Sequence, residues 1–449
     1  MKPNPDRQAL IDQMTERFRK KLEEQYTDDN ATLEQIEEAV ERVGKDVLPE
    51  LQKQWTNKRA NKPHDNQIDC ACGKKARYRG MQTKTLITRH GLLPWKRATY
   101  YCGACRCGSA PLDRSLGLDK GETTRQVRQW IAFLAPLLGF VQAGEALRTL
   151  REVDLSSSTI ERIAVCVGTS LRKAQREEAD LHQKDCLPDK RTACPKRLYI
   201  GADGIMTPLR EPWKKDGSVG SLTCRFGECK TGVVYETSTD KQGRDSRVRM
   251  RAYTATLEGI ETFEPLLATL AHRCGQHAAK EVIVLGDGAI WLWYMFGRQF
   301  PGAIQILDFY HACEHLGRVG NAMYGKDTDL ARAWQKARQA QLKADGVAEV
   351  VKLIRAWEPA EEAHREIRRI ESAYFAANAE RMRYQTYLQK GYQIGSGVVE
   401  AACKHVVHQR LDQAGMHWRV PTAEAIVALR AAQLSTSPTD LMPHLAMVA

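Results

Sequence analysis

Arg197-Leu198-Tyr199-Ile200-Gly201-Ala202-Asp203-Gly204 and Val282-Ile283-Val284-Leu285-Gly286-Asp287-Gly288 are short apolar runs that each end on Asp-Gly. Runs of this kind, bounded by glycine, read as buried strands. An Asp at the end of such a strand is carried to the rim of a sheet, where α/β folds place their ligands. Two such carboxylates on neighbouring strands repel each other unless a cation lies between them. For an all-oxygen donor set the fitting cation is Mg2+ or Mn2+. A third run, Ala303-Ile304-Gln305-Ile306-Leu307-Asp308, also ends on Asp. A single Asp-Gly is ordinarily the turn after a strand; two alike, with a third strand ending on Asp308, point to a site.

Far downstream, Gly395-Ser396-Gly397-Val398-Val399-Glu400 makes a Gly-rich turn into a helix that continues through Arg410. On that helix Glu400, Lys404 and Leu411 are spaced i, i+4 and i+11 and share one face. Asp203, Asp287 and Glu400 are the catalytic candidates. Phosphodiester cleavage needs a nucleophile aligned behind phosphorus and a stabilised leaving oxygen. Two metal ions about 4 Å apart serve both when several carboxylates meet on rigid elements. Asp308 opens Asp308-Phe309-Tyr310-His311 and has two readings. It caps the following helix, or it stands with His311 beside the metal pocket, where His311 touches a phosphate or steadies a carboxylate.

The 449 residues exceed one ordinary core, so two to four domains are expected. Lys and Arg number 67 against 55 Asp and Glu, a net charge of +12 with a pI near 9.0. Such a balance favours polyanions such as nucleic acid. No apolar stretch is long enough to span a bilayer: the longest, Trp130 to Val141, is short and interrupted by Pro136. The start, Met1-Lys2-Pro3-Asn4-Pro5-Asp6, lacks an apolar signal core, which argues against export and for a cytoplasmic, nucleoid-associated protein.

Composition shifts divide the chain. Residues 1–60 form a charged helical arm. Residues 61–118 are rich in Cys, Gly and β-formers. Residues 119–185 are helical, and a short helix, a turn near Asp154 and a helix capped by Ser157 or Ser158 match helix-turn-helix spacing. Residues 197–316 alternate strands and helices, with Leu209 to Lys230, which includes Trp213, read as a further hairpin. Residues 317–390 are helical, 391–435 carry the Glu400 helix, and 436–449 form a tail.

Of 13 cysteines, five fall in two clusters, Cys70-Ala71-Cys72 and Cys102-Gly103-Ala104-Cys105-Arg106-Cys107. Close cysteine pairs on two turns hold a tetrahedral Zn2+ in zinc ribbons; a cluster of reduced thiols is the alternative. Cys70, Cys72 and Cys102 supply three ligands, and Cys105 and Cys107 compete for the fourth place. Lys96 and Arg97 between the clusters suit contact with a phosphate backbone.

Taken in order, these pieces resemble bacterial insertion-sequence transposases of the DDE class, the Kra-type family, distantly related to Mutator-like elements. The resemblance rests on the paired cysteines up to Pro111-Leu112-Asp113 and Leu116-Gly117-Leu118, then on the Asp203-Gly204 and Asp287-Gly288 strands. The Asp308–His311 box and the Gly395–Glu400 segment complete it, the latter running on through Arg410, Gly415 and Trp418. The resemblance covers most of residues 65–430. It implies an RNase H-like mixed sheet flanked by helices, with Glu400 placed after an all-helical insertion. It also implies Mg2+-dependent cleavage at element ends and joining to target DNA, with two Mg2+ or Mn2+ per site. Asp308 and His311 accompany that site, Lys404 contacts phosphate, and Arg410 and Trp418 contact DNA together with Lys96 and Arg97. Holding two element ends together implies a dimer or larger assembly. A nuclease of the same fold without strand transfer, or a non-catalytic zinc-ribbon DNA-binding regulator, is the rival.

Overall fold

The computed structural model describes residues 5–25, 31–60, 65–116, 118, 121–188, 194–210, 224–436 and 441–445. The chain divides into two units, Met1–Cys166 with Leu441–Ala449, and Val167–Asp440.

In the first unit, Leu10 and Met14 of α1 (Pro5–Gln25) pack on Val43 and Val47 of α2 (Leu33–Ala60), as their helical spacing requires. An antiparallel sheet follows, β1 (Gln67–Asp69), β2 (Lys75–Thr88), β3 (Gly91–Tyr101) and β4 (Gly108–Ser109), in that spatial order. Trp95, Leu86 and Leu93 form its core, and Leu112 and Leu116 at α3 (Pro111–Ser115) lie against them. Helices α4 (Arg125–Leu134) and α5 (Phe140–Arg151) come next, then α6 (Ser157–Gln183), which belongs to this unit as far as Cys166 and to the second from Val167. The helical pair is present, but its cap shifts by one residue: the Ser156 hydroxyl accepts the Thr159 N–H at 3.2 Å. The last turn of helix, Met442–Leu445, is tied down by Arg128, whose guanidinium donates to the Leu445 carbonyl at 2.7 Å.

The second unit is built on a five-stranded mixed sheet of β5 (Arg197–Arg210), β6 (Cys224–Thr239), β7 (Asp245–Thr256), β8 (Glu281–Gly286) and β9 (Ile304–Leu307). The order is β7-β6-β5-β8-β9. β5, β6 and β7 pair antiparallel, whereas β8 runs parallel to β5 and β9 parallel to β8. Parallel neighbours need crossovers. These are α7 (Ile260–Arg273), between β7 and β8, and α8 (Ile290–Gln299), between β8 and β9. Leu198, Tyr199 and Ile200 at the sheet centre are fully buried, as a strand covered on both faces must be.

Two expectations change here. β5 does not stop at Asp203: it runs on to Arg210 because β6 accompanies it, with Asp203 opposite Thr231 and Arg210 opposite Cys224. The segment read as a separate hairpin is the far end of these two strands, and Trp213 lies outside the described residues. The parallel partner β8 ends earlier, its last pair being Leu285 with Gly201. Asp203 therefore sits two residues past the point where the sheet opens.

Helices α9 (Phe309–Tyr324), α10 (Asp329–Lys343), α11 (Val347–Ala356), α12 (Glu362–Ala377) and α13 (Tyr384–Gln389) follow β9. The chain then returns through α14 (Gly397–Ala402), a π-helical segment (Cys403–His408) and α15 (Gln409–Leu411) to α16 (Val420–Leu434). Glu424 of α16 accepts from the Thr256 hydroxyl at 2.9 Å and pairs with Arg172 of α6 at 2.7 Å, which fixes α16 to the end of β7. Among the described residues no helix is long and apolar enough to cross a membrane.

Candidate active site

Asp203, Asp287 and Asp308 lie on or just past the same ends of the parallel strands β5, β8 and β9. The charges of Asp287 and His311 act on Asp203, and Ser396 links Asp308 to Glu400. Asp203 projects from β5 toward the returning helix, where the Cys403 thiol lies 3.9 Å from its Oδ2. Its Oδ1 accepts the Gly204 N–H at 2.7 Å. Asp287 follows the last residue of β8, and its Oδ1 accepts the Ala289 N–H at 2.9 Å. The close approach of α14 to the sheet depends on Gly201: a Cβ there would lie 2.3 Å from Val399 Cγ2. That contact brings the Glu400 helix over β5.

Asp308 plays a different part. It is 1% exposed and heads α9, its Oδ1 accepting the Tyr310 and His311 N–H groups at 2.5 and 3.0 Å. Its Oδ2 accepts the Ser396 N–H at 2.6 Å. The Phe309 N–H donates to the Ile394 carbonyl at 2.9 Å. Asp308 is thus a helix cap that also latches the turn leading to Glu400, and both its oxygens are occupied. Glu400 is exposed and accepts from the Ser396 hydroxyl at 3.3 Å. Lys404 is exposed beside it. Leu411, expected on the same face, is fully buried instead, because the wider turns of the π segment rotate the helix between them.

Burial pushes the Asp203 carboxyl above its usual range. The charge of Asp287 adds to the shift, while the Gly204 N–H and His311 oppose it. Burial and the Asp203 charge also push the Cys403 thiol up to about 12. For a carboxyl raised in the folded state, the stability contribution is complete below the unfolded value, about 3.9, and is lost as pH rises through the folded value. Charged Asp203 therefore destabilises the fold at neutral pH. In metal-free buffer, Asp203→Asn should raise the thermal midpoint at pH 7, with the difference vanishing below about pH 4. A calorimetric series in which the Asn variant melts no higher at pH 7 would refute this.

The cysteine cluster lies in the first unit. The sulfurs of Cys70, Cys72, Cys102 and Cys105 all lie within 4.8 Å of one another, a set that could bind a metal such as zinc. Cys70 and Cys105 sulfurs are 3.5 Å apart, and those of Cys72 and Cys102 are 3.7 Å apart. Cys107 stands outside the set, its thiol donating to the Cys105 carbonyl at 3.4 Å. The Cys105 and Ala104 backbone N–H groups draw the Cys102 thiol down to about 6, toward the thiolate that a metal requires. Among the described residues, this quartet alone brings three or more ligand atoms so close together.

Arg410 and Trp418 are not at a surface. Arg410 is fully buried with its guanidinium 4.7 Å from the centre of the Trp418 ring, and burial draws it down to about 10. Trp418 is 6% exposed, its indole N–H donating to the Leu411 carbonyl at 2.9 Å. Its backbone pairs with the far end of β5, Arg210 N–H to Trp418 carbonyl at 2.8 Å. The two residues pack the Glu400 helix onto the sheet and are withdrawn from contact with DNA. Arg97 is held by Asp113 at 2.9 Å, whereas Lys96 remains exposed. Sequence reasoning missed Ser396 and Cys403 as neighbours of the site. Ser396 carried a signal in its Gly-Ser-Gly setting; a lone cysteine three residues after Glu400 carried none.

The chain belongs to an uncharacterised protein family (UPF0236), whose match spans residues 19–439. No curated protein matches it. Among solved structures it is similar to the Drosophila P element transposase strand transfer complex. The identity is 12%, covering 74% of this chain and 86% of that chain, with a TM-score of 0.26. A superposition at that level does not extend to function.

Proposed function

We propose that this protein is a DNA transposase that cuts the ends of its element and joins them to target DNA by metal-assisted phosphoryl transfer. The observation that carries the proposal is that Asp203 and Asp287, from neighbouring parallel strands, lie near enough for the charge of one to act on the other, with the helix of Glu400 packed on β5 through Val399 and Gly201. Support also comes from the sheet order, three antiparallel strands and then two parallel ones beside the first strand, the order expected of an RNase H-like core. In this assignment residues 197–316 and 391–435 make the core, 317–390 the insertion, 61–118 a zinc ribbon and 119–185 a helix-turn-helix unit for DNA.

The donors suit the metal. They are all oxygens, as Mg2+ or Mn2+ prefers. Asp203 is disfavoured as a buried anion beside Asp287, and a cation would relieve that cost. Asp203, Asp287 and Glu400 would hold two such ions, which when bound sharpen the nucleophile and stabilise the leaving oxygen. Asp308 is buried, with both oxygens accepting main-chain N–H groups, and keeps the Glu400 turn in place. His311 lies near enough for its charge to favour ionised Asp203. Lys404 offers an exposed ammonium to a phosphate. Two ends held together call for a dimer or larger assembly.

The test is an assay on labelled element ends with supercoiled target DNA and Mg2+. Joined products are expected; cut ends that are never joined would make the protein a nuclease, and no cutting in Mg2+ or Mn2+ would make it a binding protein. The ribbon has its own test. Purified protein should carry about one Zn2+ per chain by elemental analysis. Cys102→Ser should lose it, and Cys107→Ser should retain it. Loss in the Cys107 variant, or metal-free wild type with intact folding, would refute the ligand set.

A further inference from the structure

The helices after β9 reach back to the site through Tyr374 of α12. Its hydroxyl donates to the main-chain carbonyl of Asp287 at 2.9 Å. Its ring fills the space beside Gly288, where φ is +106° and a Cβ would lie 2.7 Å from Tyr374 Cε2. A side chain at 288 would meet both a left-handed backbone and the ring, so glycine is required there. The ring stacks on His315 of α9, with centroids 3.6 Å apart and planes at 9°. His315 Nδ1 lies 2.5 Å from Oε2 of Glu371, one turn before Tyr374 on α12. Glu371 is 3% exposed and His315 7%. Arg318 stands 3.7 Å from the other Glu371 oxygen.

A buried carboxylate is costly unless paired and hydrogen-bonded. Here the pair fixes a ring whose hydroxyl ends on the residue that carries a site carboxylate. We propose that Tyr374 is a positioning residue of the active site, setting the direction of the Asp287 carboxylate through its main-chain carbonyl, with the His315–Glu371 pair holding the Tyr374 ring in place. This rests on the metal-site reading of Asp287 given above. The carbonyl is anchored by Tyr374 and Oδ1 by the Ala289 N–H, so the turn has little freedom and Oδ2 remains as the donor to a cation. The helical insertion is then part of the site and not an appended module.

Tyr374→Phe in the full-length chain keeps the ring and its stacking and removes the hydroxyl alone. Two readouts decide the matter. Mn2+ affinity, from the paramagnetic resonance signal of free Mn2+, should weaken about tenfold, as when an outer partner of a metal ligand is lost. Amide exchange across residues 286–290, by mass spectrometry without metal, should accelerate about tenfold, with exchange elsewhere unchanged. Asp287→Ala calibrates the first readout. If it binds Mn2+ as wild type does, the metal reading of Asp287 fails, and the exchange data alone decide whether Tyr374 orders the turn. Unchanged exchange at 286–290 overturns the inference. So does Mn2+ affinity within about twofold of wild type while Asp287→Ala has lost it.

Discussion

Asp287→Ala should abolish cutting and joining at element ends, a loss of at least about 10³-fold, while the chain still folds and binds DNA. Metal-clamped oxygens stabilise transition-state charge by several kcal/mol, and about 4 kcal/mol corresponds to ~10³ in rate. Asp287 has no structural partner that would make its loss disruptive beyond the turn: its carboxylate accepts only the Ala289 N–H among the described hydrogen bonds. Asp203→Ala should fall as far, since it removes the other half of the repelling pair that a cation would bridge. The double variant should fall no further than either single one, because groups that act as a unit are not additive. The check is the rate of strand cleavage on labelled ends in Mg2+ and in Mn2+, with DNA binding followed by gel shift. An Asp287→Ala protein that retains a tenth or more of wild-type cleavage, by the same conversion only about 1.4 kcal/mol, would place the chemistry elsewhere.

Arg197→Met should destabilise the second unit by about 3–5 kcal/mol, the range for breaking a buried ion pair from one side. Arg197 opens β5 and is 7% exposed. Its guanidinium donates to Glu281 at 2.9 Å and to Asp245 at 3.0 Å, and to the carbonyls of Gly243, Lys390 and Gly391 at 3.2, 2.6 and 3.2 Å. It also lies 4.8 Å from the centre of the Tyr392 ring. One planar fork thus joins β5, the β6–β7 turn, β8 and the segment that leads to Glu400. Its removal leaves the Asp245 carboxylate, 1% exposed, with Tyr199 but no cation. Arg197→Lys should recover little, since an ammonium cannot reproduce the fork. Adding Asp245→Asn to Arg197→Met should restore part of the loss by removing the stranded charge. Urea melts read the effect; a loss below about 1 kcal/mol would show that the network is redundant.

Much of the sheet was legible because its strands carry local signals. Short apolar runs bounded by glycine marked β8 and β9 to within a residue or two, and the Asp at the end of each is a property of the chain itself. The Asp308 cap was legible too, as an acidic residue ahead of a helical run. The extension of β5 past Asp203 was not, because it depends on a partner strand some twenty residues away and not on anything near Gly204. The withdrawal of Arg410 and Trp418 into the interior was equally hidden. A basic and an aromatic residue near a presumed DNA surface read as contacts, and only packing against the end of β5 shows them to be core.

Sequence alone thus determined that Asp287 and Asp308 follow the strands β8 and β9, which cysteines stand in pairs and, to within a residue or two, where helices begin, since turn chemistry, capping and periodicity act over a few residues. The tertiary structure alone decided that β8 pairs with β5 and stops at Gly201, that a missing side chain at Gly201 admits Val399 and brings Glu400 over the sheet, and that Cys105 and not Cys107 joins the sulfur quartet. It also decided that Tyr374 closes on Asp287. These contacts join residues up to some two hundred positions apart, and only the packing of whole elements brings such residues within hydrogen-bonding or ligand distance.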